Sequence, residues 1–103
     1  MREIWVYVVV GSTGEYSDRS EWYVAAYFDE ELAKEHVMLA DEKGRELFAS
    51  DNTWKGRIEM KGKNPWDPDG QSPDYTGWTY YYESVPFAGF DHLLTKRSLA
   101  GNE

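Results

Sequence analysis

Two runs of β-branched and aromatic residues near the start of the chain constrain its fold most. The first is EIWVYVVV, residues 3–10, and the second is EWYVAAYF, residues 21–28. Such residues favour the extended backbone of a strand. Turn-forming residues separate the two runs, so an antiparallel hairpin is predicted. Its loop, residues 12–20, is longer than a common hairpin loop, which favours a binding role for it.

A single long amphipathic helix is predicted directly after the hairpin, from about 30 to 49. Asp29 is a suitable N-cap, and the two glutamates that follow it favour the positive end of the helix dipole. The apolar stripe of this helix would face a sheet, and at Gly44 the helix either approaches the sheet closely or breaks. The stripe consists of Ala33, Val37, Ala40, Gly44 and Leu47, with Phe48 and His36 at its edges.

Two further strands are predicted in the second half of the chain. Residues 54–60, WKGRIEM, place apolar residues on one parity and charged residues on the other, as in a short edge strand. Residues 78–87, WTYYYESVPF, are typical of a strand that ends near Pro86. The predicted fold class is α+β: a small antiparallel sheet of three to four strands, β-β-α-(β)-β, with one helix packed on one face. The last strand should pair with the first.

One helix would leave the second face of this sheet uncovered. We expect that face to be aromatic, and a large exposed apolar patch usually marks an interface. The aromatic residues on the strands are Trp5, Tyr7, Trp22, Tyr23, Tyr27, Tyr80, Tyr81 and Tyr82. Two alternatives stay open: a homodimer forms through this face, or the segment 51–77 folds across it. Residues 1–90 are expected to form one domain, followed by a flexible tail at 91–103.

Composition excludes several classes of chemistry. The chain has no cysteine, which excludes disulfides, thiolate zinc sites and a cysteine nucleophile. No apolar run is long enough to span a membrane, and the start lacks the pattern of a signal peptide, so a cytoplasmic protein is expected. The net charge of −8 at pH 7 disfavours direct binding to nucleic acid.

Charge is distributed unevenly along the chain. Residues 29–50 carry seven acidic and three basic residues, whereas residues 54–63 carry four basic residues and one acidic residue. The acidic face of the predicted helix, which could imitate nucleic-acid phosphates, consists of Glu31, Glu35, Asp41 and Glu42. The basic segment consists of Lys55, Arg57, Lys61 and Lys63. It either grips an acidic partner or forms a solvated edge strand that discourages aggregation.

The segment NPWDPDGQSPDYTGW, residues 64–78, combines aspartates, prolines and tryptophans. Counted from Asp67, its glycine stands fourth, where a calcium-binding loop needs it sixth, and Trp78 stands where the loop needs an acid. The pattern therefore favours a series of turns, and no metal or cofactor is expected. An irregular calcium site stays an alternative, with Asp67, Asp69 and Asp74 as its ligands. Trp66 either pins this segment to the body or projects as a binding anchor.

Catalytic signatures are missing from the sequence. The two histidines, His36 and His92, are not part of a recognisable triad, and no GxSxG motif is present. The stretch GSTGEYS lacks the lysine and the spacing of a phosphate-binding loop. We therefore predict no catalytic residue and a protein that is not an enzyme.

Two stretches resemble a group of small phage and prophage proteins. They are VYVVVGSTGEYSDRSEWYVAAYFDEELAKEHV, residues 6–37, and NPWDPDGQSPDYTGWTYYYESVPF, residues 64–87. The group is similar in its hairpin, in a D-E-E-L-A helix start and in an NP-x-DP…DYTG segment before a last strand. The resemblance implies an accessory factor that binds and inhibits a host or defence complex in the bacterial cytoplasm. It assigns no role to any single residue.

The leading hypothesis is a non-enzymatic binding protein whose anchors lie in two loops at one end of the sheet. The predicted partner-binding residues are Tyr16, Asp18, Arg19, Trp66, Asp67, Asp69, Asp74 and Tyr75. Two other classes stay open. One is a small ligand- or metal-binding domain, catalytic or not, with a pocket between the sheet and residues 51–77. The other is a structural homo-oligomer, such as a phage component.

Overall fold

A computed structural model gives the fold and describes residues 4–15, 18–51 and 53–87. Within them the element order is β1 (Trp5–Thr13), β2 (Ser20–Tyr27), α1 (Glu30–Ser50), α2 (Trp54–Glu59) and β3 (Trp78–Pro86). The strands form one antiparallel sheet in the order β2-β1-β3. The predicted α+β class and the pairing of the last strand with the first are confirmed. The predicted tail at 91–103 lies outside the described residues.

Helix α1 begins at the predicted cap and packs closely on the sheet. The Asp29 carboxylate accepts a hydrogen bond from the Glu31 backbone N–H at 2.9 Å, which satisfies one of the free donors of the first turn. At Gly44 the helix continues without a break. A Cβ atom built on Gly44 would lie 3.3 Å from the ring of Trp78 and 3.5 Å from that of Tyr80. Of the two alternatives for Gly44, the close approach is the one found.

The edge strand predicted at 54–60 is wrong, because these residues form α2. The Thr53 hydroxyl accepts a hydrogen bond from the Gly56 backbone N–H at 3.1 Å, and the Thr53 carbonyl accepts one from Arg57 N–H at 2.9 Å. These bonds cap and start a helical turn. The alternation was misleading because two of its apolar residues, Trp54 and Ile58, are exposed instead of lining a strand face.

Helix α1 and the segment 51–77 cover the same face of the sheet, hereafter the helix face. The strand register places Gly11, Trp22 and Tyr80 side by side on it. Tyr80 lies under Gly44 of α1, and both Trp22 and Tyr80 donate hydrogen bonds to Asp67 of the segment. The alternative in which residues 51–77 cover the second face is therefore wrong.

The aromatic residues divide unequally between the two faces. By register the helix face carries Trp5, Tyr7, Trp22, Tyr27, Tyr80 and Tyr82, and only Tyr23 and Tyr81 of the predicted set lie on the other face. The second face is therefore less rich in tryptophan and tyrosine than the sequence analysis predicted. Of the rings on the helix face, Tyr80 is buried in the core, Tyr7, Trp22, Tyr27 and Tyr82 are partly buried, and Trp5 is exposed.

Candidate binding surface

The aspartate-rich segment is fixed to the core through Asp67. This residue is 2% exposed, and its Oδ2 accepts hydrogen bonds from the Trp22 indole N–H at 2.9 Å and the Tyr80 hydroxyl at 2.8 Å. Burial and the hydrogen bond to Asp67 raise the pKa of Tyr80. The predicted partner-binding role of Asp67 finds no support here, because its carboxylate is turned into the core.

A glycine makes room for the indole that reaches Asp67. Gly11 pairs with Trp22 across the sheet, and a Cβ atom on Gly11 would lie 2.8 Å from the Trp22 ring. The ring therefore lies across the β1 backbone and extends towards the aspartate. The sequence placed Trp22 on a strand but did not reveal this contact, since Trp22 and Asp67 are 45 residues apart in the chain.

Trp66 is anchored mainly through its backbone. Its N–H donates to Asn64 Oδ1 at 3.0 Å, and its carbonyl oxygen lies 2.7 Å from His36 Nε2. That nitrogen must carry the proton, so His36 Nδ1 can accept from the Tyr27 hydroxyl, 2.7 Å away. The rings of His36 and Trp66 meet edge to face at 6.0 Å, but the indole stays exposed. Trp66 thus pins the segment and also presents a ring edge at the surface.

The three aspartates of the calcium alternative are not brought together. Asp74 Oδ1 accepts a hydrogen bond from the Thr76 backbone N–H at 2.8 Å and another from the Thr76 hydroxyl. These bonds lower the pKa of Asp74, although partial burial acts in the opposite direction. In the part of the chain that the structure describes, no group of three or more His, Cys, Asp or Glu residues could hold a metal ion.

The hairpin loop and the turn at 74–77 meet at one end of the sheet, which agrees with the prediction for this part of the second loop only. The Tyr75 hydroxyl donates to Glu15 Oε2 at 3.3 Å, and the Thr13 hydroxyl donates to the Gly77 carbonyl at 2.7 Å. Trp66 lies elsewhere: its contact with His36 places it near Tyr27, and Tyr27 pairs with Tyr7, about 20 Å along β1 from Thr13. The predicted anchors therefore form two separate groups.

Of the remaining predicted loop residues, Asp18 and Arg19 lie at the same end of the sheet as Tyr75. Asp18 accepts a hydrogen bond from Glu15 N–H at 3.0 Å, and Arg19 pairs with Glu21 at 2.9 Å. Asp69 is exposed in the segment that follows the buried Asp67. Tyr16 lies outside the described residues.

The acidic face and the basic segment both lie on helices in the structure. On the acidic face of α1, Lys34 pairs with Glu31 at 3.5 Å and Arg45 with Asp41 at 3.6 Å, so half of its charge has a neighbouring cation. The basic segment lies on α2 and the turn after it, where the Arg57 guanidinium stacks 5.9 Å over the Trp54 ring. Lys55, Lys61 and Lys63 are exposed.

The face opposite α1, hereafter the open face, carries several exposed apolar side chains. The strand parity assigns to it Ile4, Val6, Val8 and Val10, then Tyr23, Ala26 and Phe28, then Tyr81, Glu83, Val85 and Phe87. Tyr23 is 81% exposed and Phe28 65% exposed, and Ile4, Val85 and Phe87 are exposed as well. None of the described elements covers it.

Two grooves on the open face meet at Tyr23 and Glu83. One, of about 310 Å³, continues to Val10 and Tyr81, and the other, of about 470 Å³, continues to Val8, Ala26 and Val85. The irregular pairing after Val9 leaves Val24 without a partner on β1, and Val24 lines the second groove. The grooves give the apolar surface a shape that a complementary ridge could enter.

The open face also carries Glu21, opposite Ser12, and the two carboxylates Glu21 and Glu83 differ in their hydrogen-bond and ion-pair partners. Glu21 Oε2 accepts hydrogen bonds from Tyr81 and Arg19, and these partners lower the pKa of Glu21. Glu83 lies among Val8, Ala26 and Val85 and has no ion-pair partner among the described residues. The open face thus combines an apolar floor with one carboxylate on the edge strand β3 that has no ion pair within the described part of the chain.

A comparison of the sequence with known protein families, curated proteins and solved structures finds no significant match. None of the helices in the described ranges has the length and apolar character needed to cross a membrane. The site must therefore be judged on its own geometry. A shallow surface with this many exposed apolar side chains has the composition of a protein-docking surface, although Glu21, Tyr81 and Glu83 also line one of its grooves.

Proposed function

We propose that this chain is a non-enzymatic binding protein that docks through its open face on a host or defence protein complex in the bacterial cytoplasm. The observation that carries the proposal is the uncovered apolar face, with Tyr23 at its most exposed point. The resemblance to small phage and prophage proteins supports the choice of a host or defence complex as the partner.

The open face favours a particular kind of partner. Its valines and aromatic rings would bind an apolar ridge of the partner. That ridge should also contain a cation to pair with Glu83, because burying an unpaired carboxylate is costly. The chain carries a net charge of −8, so a basic rim on the partner would also speed encounter. The proposed partner surface is therefore an apolar segment that contains at least one Lys or Arg.

A pull-down from nuclease-treated bacterial lysate, followed by a binding measurement with the purified partner, tests this proposal. Tyr23→Ala should weaken binding at least tenfold, because an exposed aromatic anchor is removed without loss of core contacts. Glu83→Lys should weaken it further by placing a cation against the partner's cation.

Matched controls lie on the other exposed surfaces. Tyr75→Ala removes an exposed aromatic ring at the loop end, and Trp54→Ala removes one on α2; both should retain the partner. Trp66→Ala and Tyr16→Ala test the loop anchors in the same way. A partner that is lost in these variants but kept by Tyr23→Ala would refute docking through the open face. A mass of twice the monomer by light scattering, abolished by Tyr23→Ala, would replace the partner with a second copy of the chain.

A further inference from the structure

We infer that a second copy of this chain adds its β3 to the outer edge of β3, so that two sheets join antiparallel about a two-fold axis. The strand order places β3 at an edge, with β1 on one side and no described strand on the other. An edge strand offers unpaired backbone N–H and C=O groups to a further strand. The inference goes beyond the proposed function, because this interface does not include Tyr23 of β2.

One hydrogen bond shows which backbone groups of β3 point outwards. The Phe87 N–H donates to the Ile4 carbonyl at 2.8 Å, so in the register of β3 with β1 every second residue counted back from Phe87 bonds to β1. The residues between them, which include Tyr80, Tyr82 and Ser84, direct their backbone groups away from β1. Within the described ranges these outer groups have no backbone partner.

The two edges of the sheet are not equivalent. β3 keeps one register with β1 from Trp78 to Pro86, whereas the register of β2 shifts after Val9. Such an irregularity twists an edge strand and hinders the addition of another strand. Pro86 stands at an outward-facing position, so its missing N–H removes no bond to β1 but would interrupt pairing with a further strand. The stretch of β3 suited to pairing is therefore 78–84.

The register of the two copies follows from these limits. In a two-fold antiparallel pair, Tyr80 can bond to Tyr82 of the second copy. Tyr81 then lies opposite its own equivalent, Thr79 lies opposite Glu83 of the second copy, and the proline stays outside the pairing. Centring the pair one residue earlier would include the turn before β3. Centring it on Tyr82 would include the proline, and centring it on Glu83 would set two carboxylates opposite each other.

The outer side of α1 carries charges that match in this arrangement. His36 contacts β2, whereas Lys34, Met38 and Asp41 lie about half a turn away around the helix. The charge of Lys34 reaches the Tyr82 hydroxyl, which places this side of α1 towards β3. The two copies of α1 would run antiparallel, with Lys34 of one copy towards Asp41 of the other. Met38, which is 59% exposed, would lie near the axis and become covered.

The joined sheet would place the two open faces side by side. A two-fold axis perpendicular to a sheet keeps each face on its own side, so both copies of α1 lie on one side and both open faces on the other. The dimer would then present two docking surfaces to one partner complex, which raises the overall affinity without a new contact. This consequence, unlike the pairing itself, rests on the proposed function.

Light scattering and amide hydrogen exchange of the full chain test the pairing. Each chain carries a net charge of −8, so physiological ionic strength is used to screen the repulsion. The mass should rise from one chain to two with concentration, and the amides of Tyr80 and Tyr82 should become protected over the same range. The amides of Glu21 and Ala26, on the outer side of β2, should exchange rapidly throughout. A one-chain mass up to the concentration of an NMR sample, or protection independent of concentration, would overturn the inference.

An exchange of charges tests the register. Thr79→Glu sets a carboxylate opposite Glu83 of the second copy at two symmetric places, so dimerisation should weaken about tenfold. Adding Glu83→Lys should restore the dimer, because both places then hold opposite charges. Ala26→Glu makes the same charge change at an exposed position of β2 and should leave the dimer intact. A dimer that is lost with Ala26→Glu but kept with Thr79→Glu would contradict pairing through β3.

Tyr23→Ala separates the dimer from the proposed partner. Tyr23 lies on β2, away from the paired edges, so this variant should lose the partner and keep the dimer. A dimer abolished by Tyr23→Ala would move the contact to the open face and refute pairing through β3. A dimer of the wild type together with an empty pull-down would keep the pairing and remove the partner.

Discussion

A single buried carboxylate connects three parts of the molecule at the residue scale. Asp67 comes from the segment after α2, Trp22 from β2 and Tyr80 from β3, and the two aromatic donors converge on one oxygen. A polar group in the core is tolerated when its hydrogen bonds are made, and its removal leaves the remaining partners unsatisfied. Asp67 therefore acts as a cross-link, although its sequence surroundings resemble those of a surface loop.

The replacement Tyr80→Phe tests this cross-link. It removes one of the two donors to Asp67 while it keeps the ring, so we expect the free energy of unfolding to fall by about 1–3 kcal/mol. Tyr82→Phe is the matched control, since its hydroxyl bonds to Glu30 at the surface, and it should cost less than about 0.5 kcal/mol. Urea denaturation of both variants at pH 7 measures the difference. Equal losses of unfolding free energy in the two variants would mean that the buried hydrogen bond of Tyr80 stabilises the fold no more than the surface bond of Tyr82.

Raising the pH should erase the advantage of the native Tyr80. Its pKa is raised in the folded chain above the ordinary value of 10.0, through burial and the bond to Asp67. The stability from such a group is fully present below pH 10 and is lost as the pH rises above it, because only the unfolded chain then releases the proton. The stability gap between wild type and Tyr80→Phe should therefore shrink above about pH 10. A gap that is constant from pH 7 to pH 11 would contradict this.

At the scale of elements, the close contact of α1 with the sheet depends on Gly44. The rings of Trp78 and Tyr80 fill the space where a side chain would project. We expect Gly44→Leu to destabilise the fold by about 1–3 kcal/mol, because the rings or the helix must move. Ala49→Leu, at an exposed position of the same helix, should stay within about 0.5 kcal/mol. Thermal unfolding compares the two; a similar loss in both would indicate that the contact at Gly44 is loose.

The sequence predicted those elements whose signals are local. The Asp29 cap, the apolar stripe of α1, the β-branched run of β1 and the aromatic run of β3 each lie within one stretch of chain, and each was found. The helix α2 was missed because the alternation of apolar and charged residues at 54–60 is short. The hydrogen bonds of the Thr53 cap favour a helix there instead. The Asp67 cross-link was missed because it joins residues 45 apart in sequence, which no local pattern reveals.

At the scale of the whole molecule, the sheet is sealed on one side and open on the other. The sequence indicated that one helix could cover only one face, but it could not say which residues each face would carry. That depends on the register of β1 with both neighbours, and on the irregular pairing after Val9 that changes the parity of β2. Only with this register do Val8, Tyr23, Glu83 and Val85 become one surface.

Val8 and Val9 are neighbours on β1 that point to opposite faces, so the same substitution can compare the two sides. Val9 is fully buried under α1, and Val9→Thr places a hydroxyl in a core without a partner, at an expected cost of about 1–3 kcal/mol. Val8 is half-buried on the open face, where a hydroxyl can reach water, so Val8→Thr should cost at most about half as much. Urea denaturation of both variants in the full chain gives the comparison. Equal costs would show that the open face is sealed as tightly as the helix face, and a partner could not then enter it without unfolding part of the chain.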